Sequence, residues 1–107
     1  PYAPAFALRV GQALAGLGRY DEARERIFPL LDRANVCHRG YLRAAVAVCG
    51  GQRDDFFSEI ARAVADQCSN LLMLPIDPLF APVHDDARWG ALMRRIQRQA
   101  EPPFLPA

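Results

Sequence analysis

The chain has 107 residues, with 13 basic and 12 acidic side chains spread along it for a formal charge of +1. That balance excludes the footprint of a nucleic-acid binder and the polybasic patch of a membrane-surface protein. No run approaches the ~18 apolar residues of a membrane span and no signal-peptide pattern is present, while the start at Pro1 without a Met predicts a piece of a longer protein or a processed form.

From Ala3 to Leu17 the apolar residues Phe6, Val10, Ala13, Leu14 and Leu17 recur at steps of three and four, which predicts a helix that buries this stripe. Gly16 and Gly18 stop it, since glycine accepts the left-handed conformation past a helix C-terminus. Asp21 and Glu22 suit the first turn of a second helix, where the dipole is positive, and Ala23, Ile27, Leu30 and Leu31 form its inner stripe. So short a turn makes the two helices antiparallel. Pro29 removes a backbone hydrogen bond within the second helix and predicts a kink over Glu25 to Phe28. Displaced by 33 residues, the second stripe falls on Phe56, Ile60, Ala63 and Val64, and Gly18 falls on Gly51. A second hairpin follows, turning at Gly50-Gly51 and opening its second helix with Asp54 and Asp55.

A repeat close to ~34 residues is the period of the tetratricopeptide unit, W-x2-L-G-x2-Y, then A-x3-F, then P. The chain resembles that family. Ala7, Val10, Gly11 and Leu14 occupy the first pattern positions, followed by Ala23 and Ile27; Tyr41, Ala44, Ala45 and Val48 do so in the second copy, followed by Phe56 and Ile60. Small residues at these places let paired helix backbones approach closely. The pattern's closing proline is absent at Asn35.

Beyond Gln67, the segment from Leu71 to Ile96 resembles the tail that closes tetratricopeptide arrays in bacterial regulatory proteins, in which a strand-like apolar link leads to Asp-Pro-x-Phe, Asp-Pro-Arg-Phe and a last helix. Asp77-Pro78-Leu79-Phe80 matches the first motif, and Asp86-Ala87-Arg88-Trp89 the second with two changes. Asp77 and Asp86 are N-cap candidates, and Trp89, Leu92, Met93 and Ile96 form one apolar face able to cover the end of a stack. Docking of Trp89 on the second hairpin predicts a loss of about 3–5 kcal/mol in Trp89→Ala. The fold class is therefore all-α: a short stack of tetratricopeptide-like hairpins (about 4–34 and 37–67), a capping segment with the last helix (about 71–98), and a mobile tail (99–107).

Cys37, Cys49 and Cys68 are odd in number and form no C-x-x-C pair, which argues against a disulfide framework or zinc knuckle and for reduced thiols in the cytoplasm. Cys37 and His38 point in different directions from one helix and read as a buried thiol and a surface imidazole. No phosphate-loop, dinucleotide or metalloprotease motif is present, so no cofactor is expected. His84 beside Asp85, with Asp77 and Asp86, leaves one enzymatic alternative: a small helical metal-dependent domain.

The resemblance implies a non-catalytic interaction module, the C-terminal part of a larger bacterial protein, whose first helices line a groove for a protein or peptide. By register that groove carries Leu8, Gln12, Arg39, Leu42, Arg43 and Val46. Arg39 and Arg43, one turn apart, would share an anion, so an acidic partner is expected. Arg94-Arg95 points faintly the same way. Self-association is a further alternative, because two hairpins make a short stack.

Overall fold

The computed structural model describes residues 3–33 and 36–100, with side chains over 5–33 and 38–99; the expected tail past residue 100, Asn35 and the side chain of Cys37 lie outside them. The fold is all-α, with no strand among the described residues. Helices α1 (Ala3–Gly16), α2 (Tyr20–Arg26), α3 (Phe28–Leu31), α4 (Val36–Cys49) and α5 (Arg53–Ala65) are followed by two 3-10 helices (Ser69–Met73 and Pro78–Val83) and by α6 (Ala87–Ala100). Since α6 runs through Ala100, residues 99 and 100 belong to a helix and not to a tail.

The two hairpins close alike. Gly18 and Gly51 both take positive φ, at 81° and 69°. The N–H after each reaches back five residues, Arg19 to the Leu14 carbonyl at 2.8 Å and Gln52 to the Ala47 carbonyl at 3.0 Å. This loop-back satisfies carbonyls that a helix end leaves open. A third such cap ends α5, where Gln67 at φ 56° stands in the glycine's place and Cys68 N–H reaches the Ala63 carbonyl at 3.0 Å.

Pro29 does more than kink its helix. The helix breaks at Ile27, and Pro29 sits in the first turn of the separate α3, where its missing N–H costs nothing. Ala23, Ile27 and Leu31 are buried as the stripe requires.

On α1 the outcome differs. Phe6 and Leu17 are exposed, whereas Ala7, Gly11 and Ala15 face inward. The inner seam is made of small residues because neighbours come very near: a Cβ on Gly11 would lie 2.9 Å from Ile27 Cγ2 and 3.0 Å from Val46 Cγ2. Gly11 meets Val46, Gly50 faces Ala15, and Tyr20 bonds Asp55, each pair 35 residues apart. A constant offset means that α1 and α4 run alongside each other in the same direction. The molecule measures 47 × 32 × 19 Å along its principal axes, and the short axis accommodates two helix layers.

Helix α4 is the centre of the molecule. Ala44 to Val48 are buried without a break, since α1, α3, α5 and both 3-10 helices pack around it. On α5, Phe56, Ile60, Ala63 and Val64 are buried, the four residues that the displaced stripe names. The link expected as strand-like is 3-10 instead: Leu71 with Leu74, and Phe80 with Val83, are buried at a spacing of three, the 3-10 repeat. Asp77 accepts the Leu79 N–H at 2.9 Å and Asp86 the Arg88 N–H at 2.9 Å, both N-caps as read from the sequence. Phe80 fixes the link, edge-on to Tyr41 and tilted against Phe56, with both centroids 5.7 Å away.

Candidate functional site

Of the six groove residues, Leu8 and Gln12 lie on α1 and the other four on α4. Leu8, Gln12, Arg39 and Leu42 are half-buried. Gln12 accepts from Arg9 Nη1 at 3.1 Å, and Arg39 makes no hydrogen bond or ion pair among the described residues. Two positions need correcting. Val46 is wholly buried beneath Gly11, so it offers no surface to a partner. Arg43 turns toward α3, where it donates through Nε to Asp32 Oδ1 at 3.0 Å and through Nη2 to Asp32 Oδ2, with its guanidinium 5.3 Å above the Phe28 ring. Its fork is filled from within, and the two arginines do not converge on an external anion. The reason is angular: four residues along a helix advance by about 400°, and that offset carries Arg43 past the rim that Arg39 occupies.

Behind Arg43 lies a polar recess of about 230 Å³ lined by Tyr20, Arg24, Phe28, Arg43, Asp55, Ser58 and Glu59. Tyr20 donates to Asp55 at 2.7 Å, and burial pushes its phenol up. Glu59 Oε2 is buried with no hydrogen bond; Arg43 and Arg62 stand 3.8 and 3.9 Å from its two oxygens. Burial outweighs these distant cations and raises the Glu59 carboxyl above its ordinary range.

The carboxylates of the enzymatic alternative are already engaged. Asp77 caps a 3-10 helix, Asp85 pairs with Arg53 at 3.0 Å, and Asp86 holds Arg88. Arg88 bridges Asp86 to Asp54 and covers the Phe57 ring at 4.4 Å, and these bonds hold the Asp86 carboxyl well below the usual carboxylate range. His84 stacks on Trp89 with centroids 4.3 Å apart. Among the described residues no three His, Cys, Asp or Glu side chains gather as a metal site.

The open surface lies elsewhere. A cleft of about 310 Å³ runs between the end of α5, the first 3-10 helix and α6, lined by Gln67, Cys68, Ser69, Leu71, Leu72, Ile96 and Gln99. Gln99 Nε2 donates to the Val64 carbonyl at 3.1 Å and pins the α6 wall. On the 3-10 side, Leu72, Met73 and Ile76 are 59%, 48% and 69% exposed, the other side of the repeat that buries Leu71 and Leu74. On α6, Arg94, Arg95 and Arg98 are exposed and have no acidic partner among the described residues. Arg95 stands one turn before Gln99 on the same flank.

Cys68 in the cleft wall lies 3.2 Å from His38 Nδ1, so the imidazole read as a surface group is half-buried against a thiol. No sequence signal links these residues, which are 30 positions apart and belong to different elements. No helix of the described chain is long and apolar enough to cross a membrane. Comparison with family models, curated proteins and solved structures finds no match to this chain.

Proposed function

We propose that the chain is a non-catalytic protein-interaction module of the tetratricopeptide type, and that it holds an acidic segment of another protein with apolar anchors in the cleft between the first 3-10 helix and α6. The repeated hairpins, closed by left-handed glycines 33 residues apart, support the family reading. The observation that carries the function is the cluster of Leu72, Met73 and Ile76 turned to water beside the cleft. Exposed apolar patches with a polar rim mark interaction sites on soluble proteins.

Charge selects the partner. Helix α6 contains four arginines and no acid, and among the described residues only Arg88 of the four is paired with an acid. Arg95 and Arg98 alternate in sequence with Ile96 and Gln99 of the cleft wall, so a bound side chain would have guanidiniums beside it. A concave cleft matches a protruding apolar side chain, which a peptide presents and a bilayer surface does not.

The test is an amide-shift titration with a synthetic amphipathic Leu/Glu peptide, set against its Leu/Lys counterpart, phosphatidylserine vesicles and a single-stranded oligonucleotide. Saturable shifts over residues 67–76 and 94–99 are expected with the acidic peptide. Arg95→Glu with Arg98→Glu should weaken binding by at least about tenfold. The reading fails if the acidic peptide gives no saturable shift, if shifts fall only on 8–15 and 39–46, or if the lysine peptide, vesicles or oligonucleotide bind as well.

A further inference from the structure

We propose that Cys68 is a modification site, a thiol that hydrogen peroxide oxidises to a sulfenic acid with His38 carrying the proton. This does not depend on the docking reading.

Three observations meet at this sulfur. First, His38 Nδ1 lies 3.2 Å from Cys68 Sγ, within hydrogen-bond reach for a thiol and a base. Asn70 Nδ2, an N–H donor, lies 3.4 Å from the same nitrogen, which fits an unprotonated Nδ1 able to accept the thiol proton. Second, the α5 cap delivers Cys68 to this place: Gln67 reverses the chain and Cys68 N–H closes on Ala63, which sets the residue in the wall of the 310 Å³ cleft. Third, Cys68 is only 4% exposed and lines the cleft, so a reagent reaches its sulfur from the cleft side. Tyr41, whose phenol lies within electrostatic reach of Cys68, is pushed up to about 12 by burial and then by Asp77, so it remains neutral.

The reaction balances within these groups and the peroxide. His38 Nδ1 takes the thiol proton, and the thiolate sulfur attacks one peroxide oxygen. The O–O bond breaks as the new S–O bond forms, and the leaving hydroxide takes the proton back from the imidazolium. Sulfur loses two electrons, the peroxide gains them, and the products are Cys68 sulfenic acid and water. The thiolate is the reactive form, and a neighbouring imidazolium stabilises it.

Cys49 provides an internal reference. It is half-buried on α4, and burial raises its thiol pKa with only partial relief from Arg9. Cleavage after arginine places Cys37, Cys49 and Cys68 on separate peptides, 34–39, 44–53 and 63–88. The intact protein is exposed to hydrogen peroxide for set times, the peroxide is removed with catalase, and the chain is unfolded in urea containing dimedone, which traps sulfenic acids. Each peptide's labelling rate is read by mass spectrometry. Cys68 should label at least about tenfold faster than Cys49, and His38→Gln should remove most of that excess. Equal rates at Cys68 and Cys49 in the wild type overturn the proposal, whatever the variant does. So does an unchanged Cys68 rate in a His38→Gln protein whose circular dichroism is native; should that variant fail to fold, the wild-type comparison decides.

Discussion

At the scale of single residues, Glu59 shows burial winning over charge pairing. Its nearest cations stand 3.8 and 3.9 Å away, beyond hydrogen-bond reach, while one oxygen is buried without a donor. The carboxyl's pKa in the fold is therefore raised. A raised carboxyl contributes its full stability below the unfolded pKa, near ~4.3, and loses it as pH climbs through the folded value. Gln carries no such charge. Glu59→Gln should therefore be more stable than wild type at pH 7 by about 1 kcal/mol, and the advantage should shrink as pH falls toward 4. Urea midpoints at the two pH values check this, and an advantage that grows on acidification would show that the ion pairs dominate.

At the scale of elements, two helical glycines make opposite predictions. A Cβ on Gly40 would lie 2.5 Å from the Glu59 carbonyl oxygen and 2.9 Å from the Ala63 nitrogen, both backbone atoms of α5. Relief requires α4 and α5 to separate, so Gly40→Ala should cost about 3 kcal/mol, at the upper end of overpacking. Gly90 on α6 meets only the mobile end of Arg94 at 3.6 Å. There Gly90→Ala should gain up to about 1 kcal/mol from helix propensity. Thermal melts of the pair decide it; equal effects would mean that the α4–α5 contact is looser than described. Gly40 was not legible as a contact residue, because sequence shows a glycine in a helix and not the backbone pressed against it. The α5 stripe was legible in full, since Phe56, Ile60, Ala63 and Val64 repeat at helical spacing.

At the scale of the whole molecule, what locks the tail to the hairpins is Phe80 and not Trp89. Phe80 is wholly enclosed between Tyr41 and Phe56. Trp89 is half-buried and stacks on the exposed His84, while Leu92 and Ile96 supply the buried face of α6. Phe80→Ala should thus cost about 3–5 kcal/mol, and Trp89→Ala about 1–2 kcal/mol, less than its size in the sequence suggests. Denaturant titrations rank the two, and a larger loss at Trp89 would return the closing role to α6.

The sequence by itself determined where the two hairpins turn and where the capped elements of the closing segment begin. Glycine at positive φ and aspartate at an N-cap act on neighbouring backbone, so Gly18, Gly51, Asp77 and Asp86 could be read without a partner in view, whereas Pro29, expected to kink its helix, instead opens a separate one. Only the tertiary structure decided which faces meet. Ala7, Gly11 and Ala15 give a weaker apolar signal than Phe6 and Leu17, yet they face inward because close approach rewards small side chains over greasy ones. The same holds for the candidate sites. Arg43 was aimed at a partner by register and is bound by Asp32 from another element; Cys68 meets His38 across 30 residues. Such pairings depend on the distance between surfaces, which no local pattern of residues contains.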